Sequence, residues 1–448
     1  MSKTACDPLT LRALLCWGKT GASPEDFHPA LLHMVDVGHV AQVLLGLRAS
    51  PRWRRVLART LGADPDSLSA WLPWLVSLHD IGKISAAFQS QDAGQRARLL
   101  ACGFVFGRLS PGVHHSVLGG AAFTAALPEC AVTLIPGNVL RICREAVAAH
   151  HGLFATQVAM SDARLRLRVC EPPDWASLRL VAAEVLRECF LGSAPAVSAA
   201  PANISAAAMA LCGFTTLCDW IGSNVAFFPA APRVDLDAYA LASAQQAEGA
   251  VDAAGFFQQS ASRAPAAFRE LFAHLEHPRP LQEAIDAIPE AVLAQPCLAV
   301  IEAPTGEGKT EAAWALAHRL AAASGTDELY YALPTTATSN QMFVRLQEHL
   351  RDNLRLPTQA KLVHGQAFLF EDDLRLDSLS GGDADDRPAL EWFGPKKRAL
   401  LAPFGVGTVD QAELGALNVK HCSLRMLGLA GKVVIVDEVH AYDRSEER

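Results

Sequence analysis

The run Ala303-Pro304-Thr305-Gly306-Glu307-Gly308-Lys309-Thr310 limits the folds open to this chain more than any other feature. Its glycines let backbone N–H groups turn inward around an anion, Lys309 reaches phosphate oxygens, and the Thr310 hydroxyl suits Mg²⁺. An apolar stretch, Cys297–Ile301, precedes it, and a helical pattern from Thr310 to Ala323 follows. Strand, glycine-rich turn and helix in that order predict a phosphate-binding loop, with alanine at the usual first glycine. A second apolar stretch, Val433–Val436, ends on Asp437 and Glu438, 128 residues after Lys309. An aspartate there holds Mg²⁺ and a glutamate polarises the attacking water, so residues 303–310 with Asp437 and Glu438 are the candidate Mg·ATP site. Short apolar segments at Leu329–Leu333, Lys361–His364 and Gly405–Thr408 alternate with helical stretches, which predicts a parallel α/β lobe. Loops Leu333–Gln341 and Val406–Gln411 fall where such sheets bind ligands. Their threonines and amides suit nucleic-acid phosphates or ordinary capping.

Residues 1–245 follow a different period. Apolar residues recur every three or four positions in Leu31–Leu47, Trp71–Phe88, Val117–Ala126, Val139–Ala149, Leu178–Leu191 and Ile204–Val225. Few alternating β-branched runs interrupt them, so an all-α domain is expected. Ala240–Ala267, rich in Ala, Gln and Ser, reads as a helical connector, giving 246–270 as link and 271–448 as the α/β lobe. Acid-rich Glu371–Asp386 reads as an insertion loop.

Eight of the 15 histidines lie in the first 151 residues, and none falls between 152 and 273. His79-Asp80-Ile-Gly82-Lys83 ends an apolar helix, and His33, His115, His150, His151 and Asp219 lie on or beside other predicted helices. A bundle can turn such residues toward one centre. Imidazoles with carboxylates suit Mn, Fe, Ni, Co or Zn rather than Ca. A carboxylate such as Asp80 can bridge two ions that activate water and stabilise a leaving oxygen. His28 and His39 read equally as ligands or satisfied core groups. His114 and His115 are adjacent, so at most one faces the ions. Lys83 reads either as a solvated helix-end cation or as a holder of a phosphate. Trp17, Trp53, Trp71 and Trp74 have the spacing of core residues rather than a base-stacking platform. Arg52, Arg54, Arg55 and Arg59, like Lys396-Lys397-Arg398, read first as solvated faces.

A net charge of −8 excludes a globally basic nucleic-acid coat but not a local groove. The 11 cysteines form no C-x-x-C pair, which argues against a disulfide framework or zinc ribbon. No signal-peptide pattern opens the chain. The uncharged Cys189–Cys218 stretch carries prolines and reads as loop plus buried helix rather than membrane span. A cytoplasmic protein with no membrane partner is expected.

His33-Met-Val-Asp36, His79-Asp80-Ile-Gly-Lys83, the His115 segment, His150-His151-Gly152, Cys218-Asp219-Trp220-Ile-Gly-Ser223, the phosphate loop, Pro334-Thr-Thr-Ala-Thr, Thr408-Val-Asp-Gln411 and Asp437-Glu-Val-His440 occur in one order. In that order the chain resembles the CRISPR-associated nuclease-helicase family of type I systems. The resemblance implies a multidomain fold: an all-α HD-type metal nuclease domain followed by a RecA-like superfamily 2 helicase lobe. It implies one ion on His33, His79, Asp80 and Asp219, and another on Asp80, His115, His150 and His151, with Fe, Mn, Ni or Co as candidates. Asp80, Lys83 and Glu438 are the catalytic candidates. It also implies ATP-driven 3′-to-5′ movement on single-stranded DNA, with the displaced non-target strand of an R-loop as substrate and an RNA-guided surveillance complex as recruiter. The chain ends at Arg448, eight residues after His440, so the family's second helicase lobe is not expected here, nor unwinding by this polypeptide alone. The competing readings are an HD-type nucleotide phosphohydrolase fused to an unrelated ATPase lobe, and a non-catalytic recruitment module.

Overall fold

The structure is a computed structural model that describes residues 7–108, 113–127, 129–191, 197–232, 235–257, 267–275, 277–326, 328–354, 360–363, 399–417 and 419–442. Two compact units divide the chain: Met1–Phe256 with Asn418–Leu427, and Phe257–Leu417 with Gly428–Arg448.

The first unit is a helical bundle around the Ala30–Leu45 helix, buried on nearly every side. A helix apolar all round belongs in a core, and here Pro65–Ser77, Ile204–Gly222 and Leu236–Ala253 pack on it. Ile204–Gly222 is the single helix among the described residues long and apolar enough to cross a membrane, and 72% of its apolar window is buried inside the protein. Trp53, Trp71 and Trp74 are fully buried and Trp17 nearly so, as their spacing predicts. Cys16, Cys102, Cys143, Cys170, Cys189, Cys212, Cys218, Cys297 and Cys422 are free thiols.

Several expectations change. The apolar pattern over Trp71–Phe88 is not one helix: the α-helix stops at Ser77, and Leu78–Lys83 is a tighter 3₁₀ segment. A small antiparallel hairpin, β1 (Trp17–Thr20) with β2 (Phe27–Pro29), joins the bundle. Strands of four and three residues are too short to show an alternation. Ala240–Ala267 is no simple connector, because Leu236–Ala253 buries Tyr239, Ser243 and Val251 in the first unit. Arg52 leaves the basic stripe: it is 1% exposed, stacks over Trp53 at 3.8 Å and donates to the Leu427 carbonyl at 3.2 Å. Glu371–Asp386 and Lys396–Arg398 lie outside the described residues.

The second unit carries a parallel sheet in the order β4 (Lys361–Val363), β5 (Phe404–Thr408), β3 (Leu329–Leu333), β6 (Val433–Val436). Helices Lys309–Ser324 and Thr336–Glu348 bury Ala312, Trp314, Met342 and Phe343 against Tyr331, Leu362 and Val406. Cys297–Ile301, expected as a strand, pairs with none of these: Leu298 is 92% exposed and Val300 74%. An apolar run becomes a sheet strand only where a neighbour takes its backbone N–H and C=O groups.

Candidate metal centre

Five elements of the first unit converge. Ala30–Leu45 brings His33, Leu78–Lys83 brings His79 and Asp80, and His115–Ala126 brings His115. The end of Gly137–Ala149 brings His150 and His151, and Ile204–Gly222 brings Asp219. The 3₁₀ turn matters here, because it sets the adjacent His79 and Asp80 toward one focus.

Asp80 stands at the middle with its two oxygens facing opposite groups. Oδ2 lies 3.5 Å from His33 Nε2 and 3.4 Å from His79 Nε2. Oδ1 lies 3.3 Å from His115 Nε2 and 3.5 Å from His150 Nε2. Asp219 Oδ1 completes the first group, 3.1 Å from His33 Nε2 and 3.6 Å from His79 Nε2. His151 completes the second, its Nε2 2.8 Å from that of His115. Each set, His33–His79–Asp219 and Asp80–His115–His150–His151, gathers its donor atoms within 4.8 Å.

Three of these atoms, His79 Nε2, His150 Nε2 and Asp80 Oδ1, are buried without a hydrogen-bond partner. His150 Nδ1 donates to the Val147 carbonyl at 2.6 Å, which leaves Nε2 as a lone pair turned inward. Orphaned lone pairs at one focus, backed by a donated second ring nitrogen, fit ligands of divalent ions.

The electrostatics agree. Burial opposes charge on Asp80, yet Lys83 and His79 outweigh it and hold the carboxyl well below its usual range. Asp219 likewise resists burial through His33 and His79 and stays well below. Burial lowers His33 strongly, and burial with the neighbouring His150 and His115 pushes His151 down to about 2. Both shifts favour the neutral ring that ligation requires. His79 is the exception: burial works against its charge, but Asp80 and Asp219 lift it to about 9. A divalent cation at that place would supply the charge a proton supplies without it.

His114 and His115 part ways. His114 caps the helix, its Nδ1 accepting from Ser116 N at 3.3 Å, whereas His115 faces Asp80. Lys83 is neither solvated nor free: it is 8% exposed, with Nζ 2.7 Å from Asp80 Oδ2 and 3.3 Å from the Gly18 carbonyl. His39 is a satisfied core group on Ser243 at 3.1 Å. The sequence reading missed Lys19, whose buried Nζ has no hydrogen-bond partner and whose pKa is lowered by burial against the pull of Asp219. A lysine on a short hairpin carries no signal of its own.

In the second unit the phosphate loop closes on itself. Gly306 and Gly308 hold φ of 86° and 74°, a region open to glycine at little cost. Lys309 Nζ donates to the Ala303 and Pro304 carbonyls at 2.8 and 3.1 Å, so the lysine curls over the loop it would serve. Asp437 accepts from the Tyr331 hydroxyl at 2.6 Å, and Glu438 follows with φ of 55°. Arg279 donates to the Gly306 carbonyl, and Gln282 to that of Gly308 at 3.4 Å. These two also went unread, although Arg279-Pro280 opens a helix just upstream.

The fold and the two sites define the class: an HD-type metal-binding domain followed by a RecA-like α/β lobe. Residues 17–228 match the family described as Cas3, HD domain. The chain is 36% identical to the CRISPR-associated endonuclease/helicase Cas3 of Thermus thermophilus over 96% of its own length and 46% of the relative's. It superposes on a crystal structure of T. fusca Cas3-AMPPNP with TM-score 0.79 and 30% identity, covering 96% of this chain and 47% of that one. It also matches a chain in a CRISPR RNA-guided surveillance complex, pre-nicking, with TM-score 0.64 and 26% identity, over 96% and 44%. The chain thus spans about half the length of the Cas3 proteins it matches.

Proposed function

We propose that the first unit is a two-ion, metal-dependent nuclease acting on single-stranded DNA, and that the second binds Mg·ATP. The observation that carries this is Asp80, whose two oxygens face two separate ligand groups, as a bridging carboxylate must. His33, His79 and Asp219 would hold one ion and His115, His150 and His151 the other, with Fe, Mn, Ni or Co as occupants. Two such ions supply an activated water and a counter-charge for the leaving oxygen of a phosphodiester. The protein's own part is to keep Asp80 ionised through Lys83 and to exclude bulk water. The burial of the ligands favours an unpaired strand, since rigid duplex cannot bend a phosphate into so recessed a centre. Lys83 has a second role open to it, because a phosphate entering beside Asp80 would meet its ammonium.

The similarity to Cas3 supports placing this chemistry in type I CRISPR interference. The match to a surveillance-complex chain supports recruitment by an RNA-guided complex to the displaced strand. The test pairs ion content of the purified chain with cleavage of circular single-stranded DNA in Mn²⁺, Ni²⁺ or Co²⁺ without ATP. Two ions per chain and linearised circles are expected. Faster hydrolysis of free deoxynucleotides than of DNA would favour the phosphohydrolase reading, and no turnover of either would favour a recruitment module.

Two further outcomes follow from the geometry. His115→Ala should lose one of the two ions, while His114→Ala keeps both and costs only a helix cap, about 1 kcal/mol. Ion titrations of the two variants decide it; equal losses would overturn the division. For the nucleotide, Lys309→Ala should weaken binding of a fluorescent ATP analogue by roughly 10- to 100-fold, the worth of a hydrogen bond to a charged group. Unchanged affinity would remove Lys309 from the site.

A further inference from the structure

Behind the centre, on the side of His33 away from Asp80, lies a second buried polar group. Asp36 sits one turn after His33 on the Ala30–Leu45 helix and is 0% exposed. It receives His28 Nε2 at 3.0 Å, the Tyr239 hydroxyl at 3.0 Å on each oxygen, and Ser243 Oγ at 2.7 Å. Because Ser243 gives its proton to Asp36, its oxygen accepts from His39 Nδ1 at 3.1 Å. His28, His33 and Asp36 bring ligand-type atoms within 4.8 Å of one another. They do not read as a third ion site, because both Asp36 oxygens are already occupied by the Tyr239 and Ser243 hydroxyls and by His28 Nε2.

The unspent atoms are His33 Nδ1 and His28 Nδ1, each buried without a hydrogen-bond partner, on rings set edge-on with centroids 6.4 Å apart. An ion on His33 Nε2 obliges Nδ1 to carry the proton, and a buried N–H needs an acceptor. We propose that Asp36 and His28 are the positioning residues of His33: their negative charge and bare nitrogen hold it as the Nδ1–H tautomer, with Nε2 offered toward Asp80 and Asp219. Tyr239 and Ser243 hold Asp36 in turn, so the Leu236–Ala253 helix, far along the chain from the HD motif, is part of the centre. This inference rests on the metal-centre reading above.

The test uses the full chain with Co²⁺ titrated against visible absorption, and Zn²⁺-loaded protein for two-bond ¹H–¹⁵N spectra of the histidine rings. Asp36→Asn should weaken one of the two Co²⁺ ions by roughly 10- to 100-fold, leave the other nearly unchanged, and mix the His33 tautomers. Ser243→Ala should do the same by several-fold while the ion-free protein stays folded. A merely structural role would lower the thermal midpoint of the ion-free protein and leave the affinities of the folded fraction alone. Affinities within about twofold of wild type in folded Asp36→Asn, or in Ser243→Ala should the first not fold, would overturn the proposal. Wild type that binds no Co²⁺ would instead overturn the metal-centre reading, and this inference with it.

Discussion

Asp80→Asn is expected to abolish cleavage of circular single-stranded DNA and to leave the chain unable to hold two ions together. The amide keeps the shape of the carboxylate but loses the charge that both groups of imidazoles face at 3.3–3.5 Å. Two-ion hydrolysis depends on that shared anion, and rate should fall by about 10³ or more, several kcal/mol of transition-state stabilisation. The same change strands Lys83, whose Nζ pairs with Asp80 at 2.7 Å in a nearly dry place. Breaking one partner of a buried pair costs roughly 3–5 kcal/mol, so an inactive variant could simply be unfolded. The double variant Asp80→Asn/Lys83→Met separates the two effects, since it removes the stranded charge as well. Its thermal midpoint should recover most of the loss while two-ion binding and cleavage stay absent. Full cleavage by Asp80→Asn, or recovery of two ions in the double variant, would refute the bridging role.

The residues that gather at the two candidate sites were legible because residue type and order mark them. A phosphate loop needs glycines, lysine and threonine in sequence, and histidines rarely cluster on apolar helices without cause. What stayed hidden depends on phase and on distant partners. Whether His114 or His115 faces Asp80 turns on where one helix begins, and a one-residue shift rotates a side chain by about 100°. Lys83 read either as a solvated helix-end cation or as a holder of a phosphate, and neither reading set its ammonium on Asp80 three residues back. Tyr239 lies just before, and Ser243 just inside, an Ala/Gln/Ser-rich stretch that composition suggested was a connector, some 200 residues from the Asp36 they touch. Cys297–Ile301 has the apolar character of a strand, but pairing is a property of neighbours rather than of the run itself.

Gly82→Ala is the strongest single test of how the backbone builds the centre. A Cβ at position 82 would lie 2.1 Å from the His115 carbonyl oxygen, 2.4 Å from Gly119 N and 2.8 Å from Gly119 Cα. All three are backbone atoms of the His115–Ala126 helix, so no side chain can rotate away. Relief requires the helix to back off by about 1 Å, and overpacking of this kind costs roughly 3 kcal/mol or more where the obstacle is rigid. That helix carries His115 at its first position, so the retreat draws Nε2 away from Asp80 Oδ1, now 3.3 Å distant. His33 and Asp219 stand on other elements, and His79 lies on the Gly82 segment rather than on the retreating helix, so that group should keep its ion. The expected result is therefore asymmetric: a lower thermal midpoint, one ion retained, one lost, and no cleavage. Gly137→Ala is the matched control, since a Cβ there meets nothing within 4 Å at the start of a helix. It should be neutral or stabilise by about 0.5–1 kcal/mol. A Gly82→Ala protein with the wild-type midpoint and both ions bound would show that the close approach of these two segments does not set the geometry of the site.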